Sequence, residues 1–319
     1  MGASLVAIAL LLAAPAMGAA QVDPRMLADA LGKIEEARAA ARAGDLTGAD
    51  TRLREALGLL AVTAPGSATE LVALELAAEV AGARGDSAQA DIYYGKAIAL
   101  AEASGAVTLE HARLLHARAA AVARRGQPDR ADVLFREAQA AYEAVRPDSL
   151  ELAIVLNDAS ALAIARGDHA RAEAPLVRAI GLMTAADAPP EALAGAYANL
   201  GMVKAALGAL EAAADAFARA VAAARASGDG AALSTVLVGA ARTARQRQQW
   251  AEAEALAREA VALRRADGRS LALAASLVEL AAIRDGQAAP AEAADLRRDA
   301  LVMYETLAPG SREVADLRA

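Results

Sequence analysis

The side chains able to carry chemistry are few, and their spacing argues against it. His111, His116 and His169 are the only histidines, and the first two stand five residues apart. On a helix that spacing turns them away from each other, whereas a two-histidine zinc helix needs them at i and i+4, so no metal site is expected. No serine occupies a nucleophile-elbow context, no glycine-rich phosphate loop follows a strand, and no strand is predicted that could hold one. Carboxylates are abundant but scattered over helix surfaces, which leaves no assignable pair of acid and base. The chain has no cysteine, so thiolate nucleophiles and thiolate metal sites are excluded. The expectation is a protein without catalytic residues, cofactor or metal.

The elements that must position any polar group are set by a repeat. Ala56, Ala97, Ala138, Ala179, Ala220, Ala260 and Ala300 recur at intervals of 41, 41, 41, 41, 40 and 40 residues. Seven residues before each stands Ala49, Ala90, Ala131, Ala172, Ala213, Ala253 or Ala293, and nineteen before stands Ala37, Ala78, Ala119, Ser160, Gly201, Ala241 or Ala281. Small residues at a fixed period are what stacked helix pairs need, because they let two helices approach closely. Alanine is common in this chain, but independent signals share the frame. Gly44, Gly85, Gly126, Gly167 and Gly208 precede the first five alanines by twelve residues, and Leu53, Tyr94, Phe135, Leu176 and Phe217 precede them by three. A glycine that stops one helix just before the next begins predicts helix, tight turn, helix in each repeat. The same frame accounts for Arg84-Gly85-Asp86 and Arg166-Gly167-Asp168, which look like adhesion tripeptides but read as helix end, turn and helix start.

The fourth and fifth repeats carry a family resemblance. Leu156, Asn157, Asp158, Ala159 and Ser160, then Gly167, then Ala172, Glu173, Pro175, Leu176 and Ala179 resemble the tetratricopeptide repeat in its longer, kinesin light chain-like form of about 42 residues. Tyr197, Leu200, Gly201, Gly208, Ala213, Phe217 and Ala220 resemble the general signature. The resemblance implies an all-α, right-handed α-solenoid of about seven TPR-like helical hairpins over residues 24–307. The repeats fall near 24–64, 65–106, 107–147, 148–188, 189–228, 229–268 and 269–307, with 308–319 as a short C-terminal cap. Two repeats depart from the pattern: Gln248 and Ala288 replace the turn glycine, and Ala257 and Arg297 replace the large apolar residue, with Leu256 and Leu296 one position away. Repeats six and seven are therefore expected to pack less regularly. Tyr94, Tyr142, Phe135, Phe217, Trp250 and Tyr304 are expected in the packing, and Tyr197 with them.

In this family the first helices line a groove, and asparagines near their middle hold an extended peptide by its backbone. The resemblance carries that role to Asn157 and Asn199, with Asp158 beside the first and His116 at the frame position of Asn157 one repeat earlier. An amide donates to a carbonyl and accepts from an N–H at once, which suits a grip on peptide backbone. Glu75, Glu79, Met202, Arg242 and Glu279 fall on the same predicted face and give it mixed character. Arg242, Arg245 and Arg247 read as a solvated helix end, where cations meet the negative end of the helix dipole.

Residues 1–22 carry no charged side chain, and Leu5 to Ala14 form an apolar run followed by small residues, the pattern of a signal peptide cleaved near Ala20 (residues 1–20). The alternative is an uncleaved membrane anchor. The expected location is periplasmic or secreted, with no membrane span after cleavage. The net charge of -7 is spread over helix faces of mixed sign without a basic stripe, so nucleic acid is not expected as a partner. The expectation is an exported, non-enzymatic scaffold or adaptor that binds a peptide segment or helix of another envelope protein. The alternative is a sensor or carrier that holds a small ligand in the same groove, and self-association through the irregular repeats is a third course.

Overall fold

Helix starts and stops are written with the same few residues along the chain. Side chains of Asp45, Ser67, Asp86, Thr108, Ser149, Asp168, Asp229 and Ser270 each accept a backbone N–H from the first turn of the helix they precede. Both adhesion-like tripeptides are such junctions: Gly85 and Gly167 take φ of +80° and +78°, and Asp86 and Asp168 cap the next helix.

The computed structural model describes residues 24–103, 105 and 107–318, so the expected signal segment lies outside the described residues. The chain divides into two compact units, with the boundary between residues 106 and 107. The first contains α1 (Pro24–Arg42), α2 (Leu46–Thr63), α3 (Ala68–Ala83) and α4 (Ser87–Glu102). The second contains α5 (Leu109–Arg124), α6 (Pro128–Val145), α7 (Leu150–Ala165), α8 (His169–Ala185), α9 (Pro190–Ala206) and α10 (Leu210–Ser227). It continues with α11 (Gly230–Gln246), α12 (Trp250–Ala266), α13 (Leu271–Gly286), α14 (Pro290–Leu307) and α15 (Arg312–Arg318). No strand occurs among the described residues. In each unit successive helices pair as hairpins, and each hairpin packs on the next. The fold is an all-α, TPR-like solenoid. In the second unit the first helices of the hairpins also touch in order, α5 on α7, α7 on α9, α9 on α11 and α11 on α13, so they form one continuous row. The short α15 packs on α14 and places Val314 in the last core cluster.

The periodic small residues are where the helices meet. All three sets identified from the sequence are buried, most of them completely. Ser160 keeps its hydroxyl satisfied by donating to the Leu156 carbonyl at 2.7 Å. Large side chains fill the spaces between: Leu53, Leu176, Phe135, Tyr142 and Phe217 are at most 3 % exposed. Trp250 is half-buried, and a Cβ added at Gly286 would meet its ring at 2.1 Å. The sixth and seventh hairpins thus lock through a tryptophan laid on a glycine, with Ala257 buried where earlier repeats have a large residue and Leu256 partly buried beside it. Their turns keep the geometry of the others at a cost, since Gln248 and Ala288 adopt φ of +60° and +58°. Pro175 lies in the second turn of α8 and is accommodated without ending the helix.

Phe217 is held between two helices by two glycines. A Cβ at Gly201 on α9 would come within 2.8 Å of its ring, and one at Gly239 on α11 within 2.5 Å, from the other hairpin. The ring cannot yield towards either side. Overpacking of about 1–3 kcal/mol should therefore outweigh the helix-propensity gain of at most ~1 kcal/mol, and Gly239→Ala should be net destabilising. Gly195→Ala, on the same layer but with nothing within 4 Å, should instead stabilise by roughly 0.5–1 kcal/mol. Urea denaturation of the two variants reads the opposite signs; equal signs would refute the sandwich. Ala288→Gly should also stabilise, by up to about 1 kcal/mol, because it removes left-handed backbone strain, and its midpoint against wild type checks this.

Candidate functional site

The row of first helices in the second unit brings four of the expected residues into one hydrogen-bonded chain. Asn199 on α9 donates from Nδ2 to Asn157 Oδ1 on α7 at 3.0 Å. Asn157 in turn donates from Nδ2 to Asp158 Oδ1 at a long 3.4 Å, and Asp158 Oδ2 lies 2.9 Å from His116 Nε2 on α5. The inter-helix partners are 42 residues apart, one more than the 41-residue period of these repeats, so each bond joins adjacent points of the repeat frame. His116 thereby meets Asp158 and not its frame equivalent Asn157. An ionised carboxylate only accepts, so the Nε2 of His116 carries the proton in this contact. The imidazole is further placed by the Phe135 ring at a centroid distance of 6.0 Å.

All four side chains are half-buried, not sunk in the core. Each asparagine therefore keeps hydrogen-bonding capacity beyond the chain. The Oδ1 of Asn199 has no partner among the described residues, and Asn157 retains one N–H. The arrangement orients two amides on successive first helices and leaves part of each amide available.

The other expected residues fall into three settings. Met202 lies one turn beyond Asn199 on α9 and is 42 % exposed. Glu75, half-buried, and Glu79, exposed, lie on α3 in the first unit. Glu279 on α13 is buried and accepts from Arg245 Nε at 2.7 Å and Arg242 Nε at 3.3 Å, so its charge is committed to α11. The reading of Arg242, Arg245 and Arg247 as a solvated helix end holds for Arg242, whose side chain stays 58 % exposed, and is corrected for the other two: each of the three pairs with a carboxylate of a neighbouring hairpin, and Arg247, bound to Glu211, keeps only 16 % of its side chain exposed. Tyr197 packs on the Phe217 cluster, with the Arg219 guanidinium 5.7 Å from its ring centroid.

Sequence reasoning missed one feature of the same unit, a pocket of about 570 Å³ between α9, α11 and α13. Met202, Ile164, Val238, Ala205, Ala206, Ala272 and Ala275 give it apolar walls, and Arg242, Arg264 and His169 line it without any Asp or Glu. His169 Nδ1 is buried with no hydrogen-bond partner among the described residues. Arg264 reaches in from the last turn of α12. Its Nη1 donates to the Ala272 carbonyl at 2.7 Å and Ser276 Oγ at 2.6 Å, its Nε to Ser234 Oγ at 3.2 Å and its Nη2 to Thr235 Oγ1 at 3.3 Å. These partners are all neutral, and burial pushes the guanidinium below its usual pKa. In the sequence Arg264 is one basic residue in a helical last turn, and nothing in the repeat frame marks it out.

No family model matches the sequence, and no curated protein matches it. Solved structures do share the fold. The chain is similar to a tetratricopeptide repeat protein from Parabacteroides merdae ATCC 43184 at 16 % identity, with a TM-score of 0.62 over 91 % of this chain and 97 % of that one. It is similar to the TPR-like repeats of a putative kinesin light chain from Podosopora anserina at 16 % identity, with a TM-score of 0.53 over 62 % and 95 %. It is also similar to a Rap protein complexed with Competence and Sporulation Factor, at 14 % identity and a TM-score of 0.52 over 88 % and 76 %. The chain has the tetratricopeptide repeat fold.

The amide pair should behave as a coupled unit. In a double-mutant cycle of Asn157→Ala and Asn199→Ala, the stability effects should be non-additive by about 0.5–1 kcal/mol, the net worth of one partly exposed hydrogen bond. Additive effects within ~0.3 kcal/mol would mean that the bond at 3.0 Å does not hold the two helices in register.

Proposed function

We propose that the chain is an exported, non-enzymatic scaffold whose first-helix row in the second unit grips an extended peptide segment of another envelope protein. One observation carries this reading: Asn157 and Asn199 are tied to each other and, through Asp158, to His116, and still offer unsatisfied amide groups on the face the first helices share. A hydrogen bond between the asparagines costs each of them little rotamer entropy when a ligand arrives, because the side chains are already oriented. Amides of this kind read backbone and not side chains, so the grip tolerates many sequences and leaves selectivity to neighbouring residues. The Rap protein of the same fold, complexed with Competence and Sporulation Factor, is an instance of such a solenoid holding a partner. Export rests on the uncharged N-terminal segment of residues 1–22.

Affinity capture with crosslinking, run on envelope and soluble fractions in parallel, tests both parts. The wild-type chain should recover a protein from the envelope fraction that a folded Asn157→Ala, Asn199→Ala variant recovers at least about tenfold less well, as expected for losing two or more oriented hydrogen bonds. Equal recovery by both would move the contact off the amide row, and recovery from the soluble fraction alone would contradict export.

A further inference from the structure

Nearly every arginine of the second unit that reaches a neighbouring hairpin ends on a carboxylate: Arg171 on Asp132, Arg225 on Glu259, Arg245 on Glu279, Arg247 on Glu211 and Arg284 on Glu254. Arg264 breaks this pattern. It is half-buried and held by one backbone carbonyl and three hydroxyls, two of them, Ser234 and Ser276, at most 2 % exposed. Four bonds leave one of its five N–H donors unused, on Nη2. No carboxylate neutralises it among the described residues, and no Asp or Glu lines the pocket it borders. A fixed, partly desolvated guanidinium with neutral partners is an unspent positive charge, and an anion gains most where water has already been removed.

The rest of the pocket specifies what carries the anion. Its volume of about 570 Å³ is that of a small-molecule site, and its other walls are the side chains of Met202, Ile164 and Val238 with the alanines of α9 and α13. Arg242 stands on the same wall, although Glu279 already takes part of its charge. We propose that this pocket binds a small free organic acid, one carboxylate on an aliphatic stem, with Arg264 holding the carboxylate and the Met202–Val238 side receiving the stem. The inference does not depend on the amide row: it uses a different charge, a different wall and a ligand of different size.

Isothermal titration calorimetry of the full chain with octanoate, octan-1-ol, octylamine and acetate tests it. Octanoate should bind saturably, and the alcohol and the amine at least about tenfold more weakly, because the alcohol offers the guanidinium only a neutral acceptor and the amine, as an ammonium, is repelled by it. Acetate, with no stem, should give no saturable heat. Arg264→Gln should reduce octanoate affinity at least about tenfold and leave octanol unchanged. Ala275→Phe, at an exposed position on the pocket wall, should abolish octanoate binding while circular dichroism stays that of wild type. If Arg264→Gln fails to fold, the head-group comparison on wild type and Ala275→Phe still decide. Absence of saturable octanoate binding, equal affinity for octanoate and octanol, or an unchanged Arg264→Gln overturns the proposal. So does a result in which acetyl-Ala-Leu binds as its free acid and octanoate does not, since the carboxylate would then belong to a peptide. Octanoate binding should survive in the Asn157→Ala, Asn199→Ala variant, which separates failure here from failure of the peptide grip.

Discussion

The closest constraint on this molecule is the distance between helix axes. Three small residues per repeat, one at a fixed point and the others seven and nineteen residues before it, are buried at helix contacts, and no larger side chain fits there without pushing a hairpin away from its neighbour. Everything functional inherits this spacing. Asn199 reaches Asn157, and Asp158 reaches His116, only because first helices one repeat apart lie close enough for short side chains to touch. An alanine interface buries little apolar area per residue, so the large side chains set between the contacts supply most of the remaining hydrophobic stabilisation. Phe217 between Gly201 and Gly239, and Trp250 on Gly286, show the same trade at its limit: the side chain of one helix takes the volume given up by another.

The sequence states this part plainly because it is a pattern of size. Period, turn glycines and capping residues act locally and recur, so hairpin positions can be read without knowing any long-range contact. The non-glycine turns mark where such reading weakens. Gln248 and Ala288 hold a conformation their side chains disfavour because the stacked helices on both sides fix the turn, a case of tertiary structure overriding local preference. In the same way the loss of the large residue at Ala257 is made good by Trp250, seven residues earlier and on another turn of the helix, which no frame-by-frame comparison would select.

The candidate site divides along the same line. Asn157, Asp158, Asn199 and His116 were visible because they stand at the same or adjacent points of consecutive repeats, although their inter-helix bonds join adjacent and not identical points of the frame. Glu279 also stood at an equivalent point, yet its environment could not be read, because burial depends on two arginines from the preceding hairpin. Arg264 was invisible for a stronger reason. What distinguishes it is the absence of an acid from the neighbouring helices, and an absence among residues distant in sequence has no local signature.

Charge in the second unit is largely spent between hairpins. The arginine–carboxylate pairs link residues 30 to 39 positions apart, about one repeat, and being mostly exposed each contributes little to stability. Their larger effect is to cancel the field along the surface, so that an approaching ligand meets few uncommitted charges. Against such a background specificity belongs to groups whose bonding is incomplete. The amides have neutral groups to offer and no field, which favours a long ligand recognised by its backbone. Arg264 has a field and little room, which favours a small anion. Both proposed kinds of recognition rest on one rule, that a repeat satisfies most of its polar groups with the next repeat and only what is left over can bind something else.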